Sequence, residues 1–266
     1  STNGLDSASY NYTSCRAGPQ DRYIKMTPNA TVKIEGARFI ITMDFDRRII
    51  RDGSLVVEGQ NIIQVGKADD LAGIKTDRVI DARDMVVTPG FVNGHMHISY
   101  AHATRGIFPD DLGSAYLPNV FRLQAVMTEE EEYHTSLLAI TELLKYGTTT
   151  FLDPGSTKYL DACMEAYRDS GCRIVVGWHV SDRSNPINVP VSSTDGAIAQ
   201  MERVIKEYHH ALEGRVQAWA MPFSWSFCSE ELLLAAKELA NRYNSGMTLH
   251  HSNSPCLLYT SDAADE

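Results

Sequence analysis

Two of the nine histidines in this 266-residue chain stand one residue apart, in the run Pro89-Gly90-Phe91-Val92-Asn93-Gly94-His95-Met96-His97. In an extended chain, residues i and i+2 point to the same side, so the imidazoles of His95 and His97 can meet at one point. The apolar residues before them read as a strand. Asn93-Gly94 permits tight backbone at the C-terminal end of that strand, where barrel active sites are built. Two neutral imidazoles suit a borderline divalent ion such as zinc, which takes three or four nitrogen or oxygen ligands. A bare H-x-H pair is a weak motif, and its place at a strand end is what points to a metal. A third ligand should come from another strand end. His250, closing Met247-Thr248-Leu249-His250, is the best placed, and His251 would face the opposite way. His179, just past a further strand, can face the same mouth or stand as a hydrogen-bonded histidine of its wall. His134, His209 and His210 fall on polar helix faces and read as solvent-exposed.

Other chemistries find no motif. There is no G-x-S-x-G elbow, no G-x-x-x-x-G-K-[ST] loop, and no G-x-G-x-x-G after a strand. The Glu129 to Glu132 run reads as the first turn of a helix, favoured by its dipole, and not as an acid/base pair. Asp153, at the end of a second strand, can touch the site, orient the loop Pro154-Gly155-Ser156 or cap the helix beyond it.

Positioning these residues requires alternating strands and helices. Strand candidates are Met85 to Val92, Thr148 to Leu152, Arg173 to Trp178, Arg215 to Met221 and Met247 to His250. Between them lie helical stretches with good end signals. Thr128 with Glu131 makes a capping box, and Leu137, Leu138, Ile140, Leu143 and Leu144 form an apolar stripe that ends at Gly147. Tyr159 to Ser170 stops at Gly171, Ile198 to Leu212 stops near Gly214, and Ser229 caps a helix that Gly246 closes. Five strands separated by four helical stretches predict parallel βαβ units. Residues 26–84 differ. They read as short strands and turns, with Asp52-Gly53 a turn before Ser54 to Glu58, and so as a small β domain. Residues 1–25 are polar and aperiodic, which suggests a disordered or non-native leader with Met26 as the true start.

Composition narrows the class. Lys and Arg number 24 against 34 Asp and Glu, a net charge of −10. That balance argues against a nucleic-acid partner, which needs clustered basic residues. No apolar run approaches the ~18 residues a membrane span needs, and the absence of a basic stretch followed by an apolar one at residues 1–25 argues against secretion. Five cysteines, none in a C-x-x-C pair, fit reduced thiols and a cytoplasmic location.

The chain from about Val32 to Pro255 resembles the amidohydrolase superfamily, in its cytosine-deaminase-like and triazine-hydrolase-like branch. Ile80-Asp81-Ala82-Arg83 through Thr88 to His97 is similar to that branch's entry to the first barrel strand. Arg105-Gly106 with Asp110-Asp111-Leu112 matches its first long loop, Gly147 to Asp153 its second strand, and Cys228-Ser229-Glu230-Glu231-Leu232 the start of the helix after its fourth. The resemblance implies an α/β fold: a (β/α)8 TIM barrel, of which residues 85–255 hold about five of eight strands, with part of an N-terminal β-sandwich in 26–84. It implies one divalent metal, zinc by default with iron, cobalt or manganese as alternatives, held by His95, His97 and His250. Arg105, His179 and Asn253 are then expected to face a small-molecule substrate. No lysine ends the fourth strand (Trp219-Ala220-Met221-Pro222), which argues against a two-metal site. Relatives commonly pair, which leaves a homodimer of the full-length protein open.

Three departures qualify the likeness. Asn253 stands where the family often has a proton-shuttling Glu, and Phe223 where many members have His. The expected activity is therefore metal-dependent hydrolysis of a non-peptide C–N bond, in an amide, urea or carbamate. Deamination of a purine, pyrimidine or triazine ring is the alternative. The remaining active-site His and Asp of the family would lie beyond His250. Residues 256–266 resemble the translation of a sequencing adapter, so Pro255 is expected to be the last biological residue. A fragment so cut would be an inactive, incomplete barrel.

Overall fold

The computed structural model describes residues 30–251 apart from Ser156 and Asn188. The expected leader, Asn253 and the adapter-like tail lie outside the described residues. The chain forms two compact units that divide between Pro89 and Gly90.

The first unit is a five-stranded sheet. Strands β1 (Thr31–Ile41), β2 (Ile49–Glu58) and β3 (Asn61–Lys67) form antiparallel neighbours, while β4 (Arg78–Asp81) and β5 (Val86–Val87) pair in parallel with β1. Ala37, Ile40, Leu55 and Ala82 make its buried centre. Asp52-Gly53 does not turn the chain but lies inside β2, with Gly53 opposite Ala37 and the preceding Arg51 opposite Phe39. Asp52 absorbs the irregularity by taking φ 49°, and Gly53 leaves room for the Ile40 side chain. The reversal falls earlier, where Asp44 holds both the amide and the guanidinium of Arg48.

The second unit is an all-parallel sheet in the order β6 (Phe91–Asn93), β7 (Thr148–Leu152), β8 (Arg173–Val176), β9 (Val216–Ala218). Helices α1 (Ser99–Thr104), α2 (Tyr116–Val126) and α3 (Glu129–Lys145) connect the first pair, α4 (Leu160–Ser170) the second and α5 (Thr194–Tyr208) the third. Helix α6 (Glu230–Arg242) follows β9. This is the βαβ succession of a (β/α)8 barrel, present in part. Phe151, Ile174, Val176, Val216 and Ala218 from the strands pack with Ile140, Tyr167, Met201 and Leu232 from the helices in one buried core. Each large apolar side chain so buried contributes about 1.5–3 kcal/mol.

Two strands differ from the pattern in the sequence. Met85 to Val92 is not one strand: Val86–Val87 joins the first sheet and Phe91–Asn93 the second. Pro89 has no N–H for a ladder. Gly90 lies so close to Thr149 that a Cβ there would sit 2.0 Å from Oγ1. The fifth strand is reduced to isolated bridges, Ala220 to Met247 and Ser224 to His250. Thr248 N–H donates to Ala220 and His250 N–H to Phe223, so three residues on one side face two on the other. The slip falls across Pro222, which cannot donate.

The helix ends follow local rules. Thr128 and Glu131 complete the capping box of α3, Ser229 accepts from Leu232 N–H at α6, and Gly171 closes α4 at φ 72°. Helix α5 starts at Thr194, four residues before Ile198, because Ser193 caps it. It ends at Tyr208 because His210, Leu212 and Glu213 take positive φ. No helix among the described residues is long and apolar enough to cross a membrane.

Candidate metal centre

Strand β6 delivers the first two histidines. Its run continues past Asn93, since Met96 N–H donates to Leu152 O at 2.9 Å, and Met96 packs against the core. His95 and His97, on either side of it, therefore turn away from the core together. Asn93 Oδ1 accepts from His95 N–H at 3.1 Å and fixes the bend that Gly94 allows. His250 arrives from the bridged fifth segment. The Phe223 carbonyl accepts both its backbone N–H and its Nδ1–H, each at 3.0 Å. That choice of tautomer leaves the lone pair of His250 on Nε2.

The three rings converge. The ring centroids of His95 lie 5.0 Å from those of His97 and His250, and the potential ligand atoms of all three lie within 4.8 Å of one another. His97 Nε2 is 3.2 Å from His250 Nε2. Two nitrogens at about 2.0–2.1 Å from a tetrahedral zinc stand roughly 3.3–3.4 Å apart, so the pair has the spacing of two ligands of one ion. Burial pushes the His97 imidazole down to about 3, and the neighbouring His250, His95 and His179 rings push the same way. Burial also lowers His250, against the pull of the Phe223 carbonyl. Both rings are therefore neutral near pH 7, the form that binds metals. Among the described residues, His97 Nδ1 is buried without a hydrogen-bond partner. The donor set fits a borderline divalent ion.

The other expected residues divide. His179 stands in the wall: its ring meets Phe223 edge-on at 4.8 Å, and Phe223 in turn lies 5.2 Å from His250. Burial pushes His179 down to about 3. Arg105 is engaged by Glu142 of α3 at 2.6 Å, with His102 Nε2 on the same carboxylate at 3.1 Å. Asn253 lies outside the described residues. His251 faces Trp225, and His134 is exposed beside Glu130, as their positions suggested. His209 is not free on a helix face. Its Nδ1 accepts from Ala218 N–H, because α5 ends before it and turns its ring toward β9.

Asp153 orients backbone. Its carboxylate accepts from Gly155 N–H at 3.1 Å and from Ile98 N–H at 3.3 Å. Burial pushes it up to about 7, against those two donors. Glu132 gave no sign in the sequence beyond belonging to a glutamate run, yet it is fully buried. It accepts from Ser99 Oγ (2.7 Å), Lys158 N–H (2.9 Å) and Tyr159 N–H (2.6 Å).

Residues 86–265 match the sequence profile of the Amidohydrolase family. The chain belongs to this family. Amidohydrolase relatives include a 5'-deoxyadenosine deaminase of Methanobrevibacter smithii, 31% identical over 85% of this chain and 49% of its own length. A 5-methylthioadenosine/S-adenosylhomocysteine deaminase of Thermoanaerobacter pseudethanolicus is 25% identical over 80% of this chain and 47% of its own. Among solved structures, an atrazine chlorohydrolase of Arthrobacter aurescens TC1, complexed with zinc, superposes with a TM-score of 0.72 at 25% identity, over 83% of this chain and 52% of that one. The chain spans about half the length of the curated relatives it matches.

Proposed function

We propose that the protein is a metal-dependent hydrolase that uses an activated water to cleave a non-peptide C–N bond of a small molecule. One observation carries this: three imidazoles, from the ends of the first and fifth barrel strands, converge on a single point. When bound there, a divalent ion supplies Lewis acidity, bringing the pKa of a water toward about 7. His95, His97 and His250 would hold it, with zinc the ion their chemistry fits best. The Phe223 carbonyl keeps His250 in the correct tautomer. Tyr100 lies 5.2 Å from His97 and Phe223 5.2 Å from His250, ring to ring, and Phe121 joins Tyr100 to His179, an aromatic wall beside the histidines that suits a flat substrate.

The finer reading is deamination of an aminated nitrogen heterocycle, in which water replaces the ring amine and ammonia leaves. The names of the curated relatives support it, all of those above being deaminases of adenosine-type compounds. Asn253, where relatives often carry a proton-shuttling Glu, favours the second reading, hydrolysis of an amide, urea or carbamate, because an amide side chain cannot carry that proton. Ammonia release from adenine nucleosides and aminotriazines, set against turnover of ureas and carbamates, tests the two. Activity on neither group, in protein shown to hold stoichiometric metal, would refute both.

A further inference from the structure

Helix α1 begins two residues after His97 and is only six residues long, too short to hold its own direction. No side chain caps its start. Its direction comes instead from α3. At the near end, Ser99 donates to Glu132; at the far end, His102 and Arg105 both meet Glu142. The same Glu132 carboxylate takes the amides of Lys158 and Tyr159, in the loop that leads from the end of β7 into α4. The Lys158 ammonium fastens that loop further by donating to the carbonyls of Ala125 and Met127. Ile98, between His97 and Ser99, gives its amide to Asp153. The three residues 97–99 thus hang from two buried carboxylates, one at the end of β7 and one on α3.

We propose that Glu132 is a positioning residue of the histidine centre: by gathering the Ser99 hydroxyl and the 158–159 amides, it sets where the His97 ring points. The proposal rests on His95, His97 and His250 being metal ligands. A residue needed only to fill space at this point would be apolar. A buried carboxylate with three converging donors fixes orientation as well, since each donor has one direction to satisfy.

The test measures zinc affinity by competition with a chromogenic chelator, and the visible spectrum of the cobalt-loaded protein, in wild type and three variants. Glu132→Gln replaces one acceptor oxygen by a donor, and Ser99→Ala removes a single link. Val204→Ala, in the α5 core, is a control for lost stability. The expected result is zinc affinity about 10- to 100-fold weaker in Glu132→Gln and about 10-fold weaker in Ser99→Ala. A shifted cobalt spectrum should accompany the loss in both, while Val204→Ala lowers the melting temperature and leaves affinity and spectrum unchanged. Affinity within twofold of wild type and an unchanged spectrum in Ser99→Ala and in folded Glu132→Gln would overturn the proposal. Should Glu132→Gln not fold, Ser99→Ala decides alone. Wild-type protein that binds neither metal would overturn the ligand assignment itself, and this proposal with it.

Discussion

Zinc should stabilise the folded protein through His97 and His250, and the size of the effect can be worked out. A ligand that binds only the native state at 100 times its Kd adds about 2.7 kcal/mol. The unit carrying the histidines runs from Gly90 to the end of the chain. For units of about 150–250 residues, 1 kcal/mol moves the melting temperature by about 2–4 °C. Zinc should therefore raise Tm by about 5–11 °C in a calorimetric scan at pH 7.5. In His97→Ala or His250→Ala the shift should collapse, whatever those changes do to the metal-free Tm. In His134→Ala it should persist, because that ring is exposed, beside Glu130 at 3.8 Å and the Tyr133 ring, away from the three histidines. Acid adds a second arm. Burial holds His97 at about 3 in the folded chain. At pH 5.5 a free imidazole of pKa 6.5 would be roughly nine-tenths protonated, and freeing it for a metal would cost about 1.4 kcal/mol. His97 is spared that cost, so its own share of the shift should survive at pH 5.5. An equal shift in His97→Ala and wild type, or its loss in His134→Ala, would refute the assignment of the centre.

Three further expectations concern the scaffold. Burial pushes His179 down to about 3, against 6.5 for a free imidazole, so the folded state binds fewer protons. Its contribution is complete above pH 6.5 and is lost as pH falls toward 3; at pH 5 that is about 1–2 kcal/mol, the lower figure allowing for the part of the ring that meets solvent. Urea unfolding at pH 7.5 and 5.0 should show this loss in wild type and a correspondingly smaller one in His179→Phe; identical losses would count against it. Gly177→Ala would place a Cβ 2.4 Å from Met221 Sδ and 2.8 Å from the Trp219 carbonyl. Its cost should be about 1–3 kcal/mol in chemical denaturation, and a change under 0.5 kcal/mol would mean the strands are less tightly packed there. Ser229→Ala removes the α6 cap and should cost about 0.5–2 kcal/mol in the same assay, while Asp182 still accepts the residue-229 amide.

What could be read from the sequence was whatever depends on near neighbours. The period of two that brings His95 and His97 together needs only a strand, and the caps at Thr128, Ser229 and Gly171 need only the next three or four residues. Failures came where distant backbone decides. Nothing local shows that Val86 and Val87 leave for another sheet, or that the segment ending at His250 slips by one residue across Pro222. Glu132 is the instructive case. A dipole argument treats all four glutamates of its run alike, and the apolar stripe marks the inward face only in part, since Leu137, Ile140 and Leu143 meet the core while Leu138 and Leu144 are exposed. The inward face of α3 is built on Ser136, Ala139 and Ile140. Small residues at that spacing, extended back by one turn, lead to Glu132, and this was the signal available.

The structure also changes what the departures from the family pattern mean. Phe223 replaces a side chain, but His250 is held by the residue's carbonyl, which any amino acid supplies. The substitution therefore leaves the three converging histidines as they were and alters the wall, putting an apolar ring between His179 and His250 where an imidazole would offer a hydrogen bond. Its effect should fall on the choice of substrate. Arg105 shows the converse. It matches the family's first loop, yet its guanidinium is spent on Glu142, which also receives His102 from α1. A family-matching arginine here works as scaffold, and its loss would loosen the helix that follows His97 before it touched any substrate contact.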